Sequence, residues 1–124
     1  MSERVSEIQK VDEKLNSLEL QFAACANSDD TNDKREDIFA RCQKEREESA
    51  KDLLAKEAGE LTKLIGNSGK AAVDKETKDF VEDIDRVLDL AFKDPEKRAS
   101  LKMEAIDAHV RLLASYIDAK KDYR

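Results

Sequence analysis

Hydrophobic residues recur along most of this chain every three or four positions, the spacing that places them on one face of an α-helix. Turn-forming or helix-breaking residues interrupt the pattern at three places. Aromatic residues make up only 5% of the chain, and β-branched residues are also few, which argues against strands. The pattern therefore predicts four helices, over residues 2–26, 34–65, 73–92 and 95–124.

The first two predicted helices differ in how their apolar residues are distributed. The first has a continuous apolar stripe and ends at residues 27–33, which are all turn or N-cap types. The second has apolar residues at both ends, whereas residues 43–49 between them offer nothing to bury, so charge pairs one turn apart should hold its middle. Its length of about 48 Å predicts an elongated molecule. The stripe of the first helix is Ile8, Val11, Leu15, Leu18, Phe22 and Cys25.

Residues that typically end or begin a helix separate the last three predicted helices. Gly66 is placed to end the second helix in a left-handed conformation, and the third is expected to begin at Val73. Asp94, Pro95 and Glu96 supply an N-cap carboxylate, a proline at the first helical position and an acid in the first turn of the fourth. The predicted buried face of the third helix is Val73, Thr77, Phe80, Ile84, Val87, Leu88 and Ala91.

The fourth predicted helix carries two apolar stripes, which together cover about 200° of its surface, twice what one core contact needs. Either this helix lies centrally among its neighbours, or the second stripe is a surface for a partner. The candidate partner-binding residues are Leu112, Tyr116 and Tyr123. The core stripe is Ala99, Met103, Ile106, Val110, Leu113 and Ile117, and the second stripe is Leu101, Ala105, Ala108, Leu112, Tyr116, Ala119 and Tyr123.

The predicted fold is an all-α, elongated, antiparallel four-helix bundle that forms a single domain over residues 1–124, because short connections favour antiparallel neighbours. The alternative is a three-helix bundle with the N-terminal helix loosely attached.

Charge and composition limit the classes of partner that the protein is expected to bind. The net charge of −6 argues against nucleic acid and against an anionic membrane surface. No apolar run approaches the roughly 18 residues of a membrane-spanning helix, and the first residues lack the apolar core of a signal peptide. We therefore expect a cytoplasmic protein, with the nucleus as the alternative. In such a compartment Cys25 and Cys42 are expected to be buried free thiols.

Catalytic and metal-binding patterns are missing from the sequence. His109 is the only histidine, which excludes a site built from two imidazoles of one chain. Ile106 stands where the Glu-x-x-His signature of di-iron bundles needs a glutamate, and residues 66–70 lack the spacing of a phosphate-binding loop. We expect no enzymatic activity, no cofactor and no metal.

Residues 82–89, 93–94 and 98–118 resemble the last two helices of the BAG domain. BAG domains are three-helix co-chaperone modules that bind DnaK-type chaperones and promote nucleotide release. Leu88-Asp89 and Asp79 match the family's Leu-Asp and the acid ten residues before it. Lys102 is the nearest match to its basic residue, although Val110 stands where the family has glutamine. The resemblance implies chaperone contacts through Asp79, Asp89 and Lys102.

A second resemblance lies at the end of the chain. Tyr116 together with residues 121–124 is similar to the close of the third helix in syntaxin N-terminal bundles. No SNARE segment or membrane anchor follows here, so the resemblance implies the regulatory bundle alone.

The expected function is a non-enzymatic protein–protein interaction module, an adaptor or complex subunit, acting as a monomer or homodimer. The alternatives are a BAG-like co-chaperone and a structural coiled-coil oligomer. A carrier of an apolar ligand would need a cavity that a narrow core does not offer.

Overall fold

A computed structural model describes residues 5–27 and 35–122 of the chain. Within these ranges the chain forms four helices and no strands, which confirms the all-α four-helix prediction. None of the described helices is both long enough and apolar enough to cross a membrane. Tyr123 lies outside the described residues. The helices are α1 (Glu7–Ala26), α2 (Arg35–Ile65), α3 (Asn67–Ala91) and α4 (Pro95–Asp122).

Capping residues mark the first turns of α1 and α4. The Ser6 hydroxyl accepts a hydrogen bond from the Gln9 amide and so caps α1. Pro95 opens α4, and the Asp94 carboxylate accepts a hydrogen bond from the Glu96 amide, as predicted.

The predicted start of α3 at Val73 is wrong, because α3 begins at Asn67. Gly66 has φ of 76°, a conformation that glycine adopts without a steric penalty, and this one residue is enough to turn the chain. Gly69 falls inside the first turn of α3 instead of a loop. The break between α2 and α3 is therefore much shorter than the sequence suggested.

The four helices alternate in direction, and α2 and α4 form the central pair. The side-chain amide of Gln43 donates to the backbone carbonyl of Ala99 at 3.4 Å. The two central helices therefore have their first turns at the same end and run parallel. The Glu7 amide, at the start of α1, donates to Asp118 near the end of α4 at 2.8 Å. Within the described ranges α1 and α3 make no contact with each other, since they lie on opposite sides of the central pair.

The core follows the stripe predicted for α4, of which Ile106, Val110, Leu113 and Ile117 are all buried. Val11 and Leu15 of α1 are also fully buried against it. The contribution of α2 comes mostly from its second half, namely Ala50, Leu53, Leu54, Ala58 and Leu61.

The buried face of α3 is narrower than predicted. Only Ile84 is buried, while Val87 and Ala91 are exposed, and Leu90 is 85% exposed. The reason is that α3 packs on one side of the central pair alone, so a single line of contact suffices for it. The acids Asp79, Glu82, Asp83 and Asp89 of α3 are exposed.

One face of the middle of α2 is buried, although the sequence predicted that this stretch offers nothing to bury. Arg46 lies against α4, where its Nη2 donates to both carboxylate oxygens of Asp107 at 2.8 and 2.7 Å. Both residues are buried, and so is Gln43 one turn earlier. A paired charge can be buried where a lone charge cannot, which is why a polar stretch packs in the interior here.

The expectation of free thiols is also wrong, because Cys25 and Cys42 form a disulfide with their Cα atoms 5.9 Å apart. The antiparallel pairing of α1 and α2 brings the last turn of α1 beside the second turn of α2. The disulfide therefore joins the two helices near the end where the chain passes from one to the other.

Candidate protein-binding surface

Two of the three candidate partner-binding residues lie together on the surface. Leu112 and Tyr116 are one helical turn apart on α4, so their side chains share a face. Leu112 is 41% exposed and Tyr116 is 49% exposed.

Beside Tyr116 the ends of α2 and α4 enclose a shallow apolar depression of about 430 Å³. Leu61 and Ile65 supply its α2 wall, and Tyr116 and Ala119 supply its α4 wall. Lys120 is the charged residue at its edge. We call the set Leu61, Ile65, Leu112, Tyr116, Ala119 and Lys120 the α2–α4 surface.

The second stripe of α4 proves to be divided in two. Its first half is partly covered, with Ala105 packed against the core, and nearby the ring of His109 stacks on Phe80 of α3 at 4.1 Å between centroids. Its second half, from Ala108 to Ala119, is exposed in the structure. Helix α4 is therefore central, and part of its second stripe is nevertheless left uncovered.

His109 itself is half-buried at the edge of the core. Burial lowers the pKa of its imidazole, and the charge of Glu76 opposes this only in part. Its Nε2 has no hydrogen-bond partner, and the ring is stacked against Phe80. The side chain thus packs as a neutral aromatic ring.

The three BAG-like candidates are in different environments. Asp79 and Asp89 are exposed on α3, and Asp89 lies 3.7 Å from Arg98. Lys102 instead contacts Asp85 and lies 3.1 Å from Glu47, so it links α4 to both α3 and α2. Burial alone would lower the pKa of Lys102, but its hydrogen bonds to these two carboxylates raise the pKa above its usual value. Lys102 is thus occupied within the bundle.

A buried carboxyl group that the sequence analysis did not single out lies between α1 and α2. Glu57 is only 1% exposed, and its Oε2 has no hydrogen-bond partner. Burial raises the pKa of this carboxyl, and the nearby Glu7 raises it further. The burial of Glu57 could have been predicted from the sequence. Glu57 is one helical turn from both Leu53 and Leu61 and so shares their buried face.

Glu57→Gln should raise the melting temperature at pH 7, because the substitution removes a carboxylate that is costly to ionise in the interior. The folded-state pKa lies above the unfolded value of about 4.3. Between the unfolded and the folded pKa, the folded chain therefore binds more protons than the unfolded chain does. The stability that protonated Glu57 provides is lost as the pH rises through this interval. Thermal melts at several pH values would measure the melting temperatures of the variant and the wild type. The difference between them should shrink as the pH falls to about 4.

The matched control is Glu60→Gln on the same helix. The Glu60 side chain is 44% exposed and lies 3.4 Å from Lys63, so its replacement should change the melting temperature little at any pH. A melting temperature for Glu57→Gln below that of the wild type at pH 7 would contradict the assignment.

Comparison with protein-family models, with curated proteins and with solved structures finds no match to this chain. Among the described residues, no group of three or more histidine, cysteine, aspartate or glutamate side chains is placed to hold a metal ion. The α2–α4 surface is therefore interpreted from its own geometry and chemistry.

Proposed function

We propose that this protein is a non-enzymatic interaction module, an adaptor or complex subunit, whose α2–α4 surface binds an amphipathic helix of a partner protein. The observation that carries the proposal is the exposure of Leu112 and Tyr116 directly beside the apolar depression. Exposed apolar residues are common singly, but a contiguous group next to a concave surface is typical of a binding site.

The surface has the parts that helix-in-groove recognition uses. Tyr116 supplies an aromatic anchor, a residue type enriched among those that dominate binding energy. Ala119 is small enough for another backbone to approach closely, while Leu61 and Ile65 offer apolar contacts below it. A partner helix with apolar side chains every three or four residues would match this arrangement.

Lys120 indicates one further feature of the partner. It borders the depression and is exposed. An acidic residue flanking the apolar side chains of the partner helix would meet it there. Such a rim pair would contribute more to orientation and to the association rate than to affinity.

Leu112→Ser together with Tyr116→Ala should weaken partner binding by about 30-fold or more, the loss expected when a principal anchor is removed. Because both side chains are about half exposed, helicity and melting temperature should change little. The partner would be identified by affinity capture with mass spectrometry, and its dissociation constant measured for both proteins by titration calorimetry.

The matched control is Val87→Ser with Leu90→Ser, which removes exposed apolar side chains from α3 and leaves the α2–α4 surface intact. This control should bind as the wild type does. If the α4 double variant bound equally well, or if it unfolded, the α2–α4 surface would not be the binding site.

The BAG-like function is a second candidate, which the exposure of Asp79 and Asp89 on α3 favours. In this proposal the two carboxylates contact the nucleotide-binding domain of a DnaK-type chaperone. Nucleotide release from such a chaperone should then be faster with the protein present, and Asp79→Lys with Asp89→Lys should abolish the effect. An unchanged release rate with the wild-type protein would remove this candidate.

A structural oligomer is the third class of function. It would cover the same surface with a second copy of this chain, and its melting temperature would rise with protein concentration. We propose instead a monomer or homodimer acting in the cytoplasm, where a disulfide such as Cys25–Cys42 is usually transient. Sedimentation equilibrium with the wild type and the α4 double variant distinguishes these states.

A further inference from the structure

Helix α1 is attached to the bundle unevenly along its length. In its first half Val11 and Leu15 are fully buried. The Arg111 guanidinium donates to Asp12 at 2.7 Å, and Lys121 donates to Glu7 at 3.2 Å, so polar contacts add to the apolar ones. This half is held by its own interactions with α2 and α4.

The second half of α1, residues 18–26, has no buried residue, and Leu20 is 72% exposed. Leu18 packs partly against the core. The Cys25–Cys42 disulfide also joins this half to α2, and Phe22 forms an edge-to-face pair with Phe39, whose centroids are 5.8 Å apart. The disulfide is thus the covalent attachment of a half of α1 that has no fully buried side chain.

Packing beneath this half of α1 is incomplete. A cavity of about 290 Å³ lies between it and α2, lined by Leu18, Phe22 and the disulfide among others. The Arg46 side chain also lines it, and the Nε and Nη1 of Arg46 have no hydrogen-bond partner. Access to water would satisfy those donors, so separation of the two helices here would relieve the cost of leaving them unpaired.

We propose that the Cys25–Cys42 disulfide is a thiol–disulfide exchange site, through which a dithiol protein of the Cys-x-x-Cys class controls whether residues 18–26 stay on α2. Attack occurs at Cys25, because Cys25 is partly exposed whereas Cys42 is buried. The site lies at the opposite end of α2 from the α2–α4 surface, and the inference does not depend on that surface.

The exchange balances in two steps. A thiolate of the dithiol protein attacks the Sγ of Cys25 and forms a mixed disulfide, while the bond to Cys42 breaks and the Cys42 thiolate takes up a proton. The second thiol of the dithiol protein then attacks the mixed disulfide and releases Cys25 as a thiol. This chain gains two electrons and two protons, and the dithiol protein is oxidised to its disulfide.

Reduction changes the surface of the protein without unfolding the bundle. Residues 18–26 leave α2, and the side chains they cover become accessible, namely Phe39 and the cavity face of Arg46. The first half of α1 stays in place, because Val11, Leu15 and Asp12 are held independently of the disulfide.

Hydrogen exchange of the full chain, oxidised and after treatment with dithiothreitol, tests the consequence. Amides of residues 19–26 should exchange on the order of a hundredfold faster in the reduced protein, the factor associated with losing a cross-link that closes a short loop. Amides of residues 11–16 and of α4 should change little. Equal protection of residues 19–26 in both states, or a uniform increase along the chain, would overturn the proposal.

Cys25→Ser with Cys42→Ser is the matched control, which should exchange like the reduced protein and be insensitive to dithiothreitol. The site of attack is tested with a Cys-x-x-Cys oxidoreductase whose second cysteine is replaced by serine, so that the mixed disulfide accumulates. Peptide mapping should find the adduct on Cys25. An adduct on Cys42, or none, would show that the disulfide is not the exchange site described.

Discussion

Arg46→Met should destabilise the protein by about 3–5 kcal/mol, the cost of leaving one member of a buried ion pair without its partner. Asp107 is 4% exposed and accepts both of its hydrogen bonds from the Nη2 of Arg46. No other charged group replaces that donor within hydrogen-bonding distance among the described residues. Urea denaturation followed by circular dichroism would measure the loss.

Two further variants make the result specific. Arg46→Met with Asp107→Leu removes both charges and should recover most of the stability, because a well-packed apolar pair can replace a buried ion pair. Arg111→Met breaks the partly exposed pair with Asp12 and should cost less than about 1 kcal/mol. A loss for Arg46→Met as small as that for Arg111→Met would mean that the Arg46–Asp107 pair is solvated in solution.

Ile106→Ala should cost about 2–4 kcal/mol, since it truncates a fully buried side chain of α4 and leaves a cavity in the core. That is a large part of the stability expected of so small a domain. Leu112→Ala on the same helix is the control, and it should cost under about 1 kcal/mol because Leu112 is about half exposed. Equal effects of the two substitutions would show that the buried face of α4 is assigned wrongly.

The core of α4 could be predicted from the sequence because helical periodicity is a local property. Ile106, Val110 and Leu113 follow one another at spacings of four and three, and the start of the helix at Pro95 has an equally local cause. The burial of Arg46 could not be predicted in this way. It depends on Asp107, which is 61 residues away in the chain, and only the packing of α2 on α4 brings them together.

The candidate surface was predictable only in part, for the same reason. The sequence places Leu112 and Tyr116 on a second apolar stripe, but which half of that stripe stays uncovered depends on where α3 packs. Leu61 and Ile65 belong to α2, and their position beside Tyr116 follows from the parallel alignment of the central pair. The disulfide likewise depends on how α1 is aligned with α2.

The central position of α2 and α4 has a consequence for the order of folding. The contact pairs α1–α2, α2–α3 and α3–α4 join helices that are neighbours in sequence, so they can form locally and early. The α2–α4 pair is expected to form later, because its contacts span the whole of α3. The contact between Arg46 and Asp107, for example, closes a loop of about sixty residues at a corresponding entropic cost. The interface that holds the finished molecule together is thus among the last to form, and substitutions within it should act more by speeding unfolding than by slowing folding.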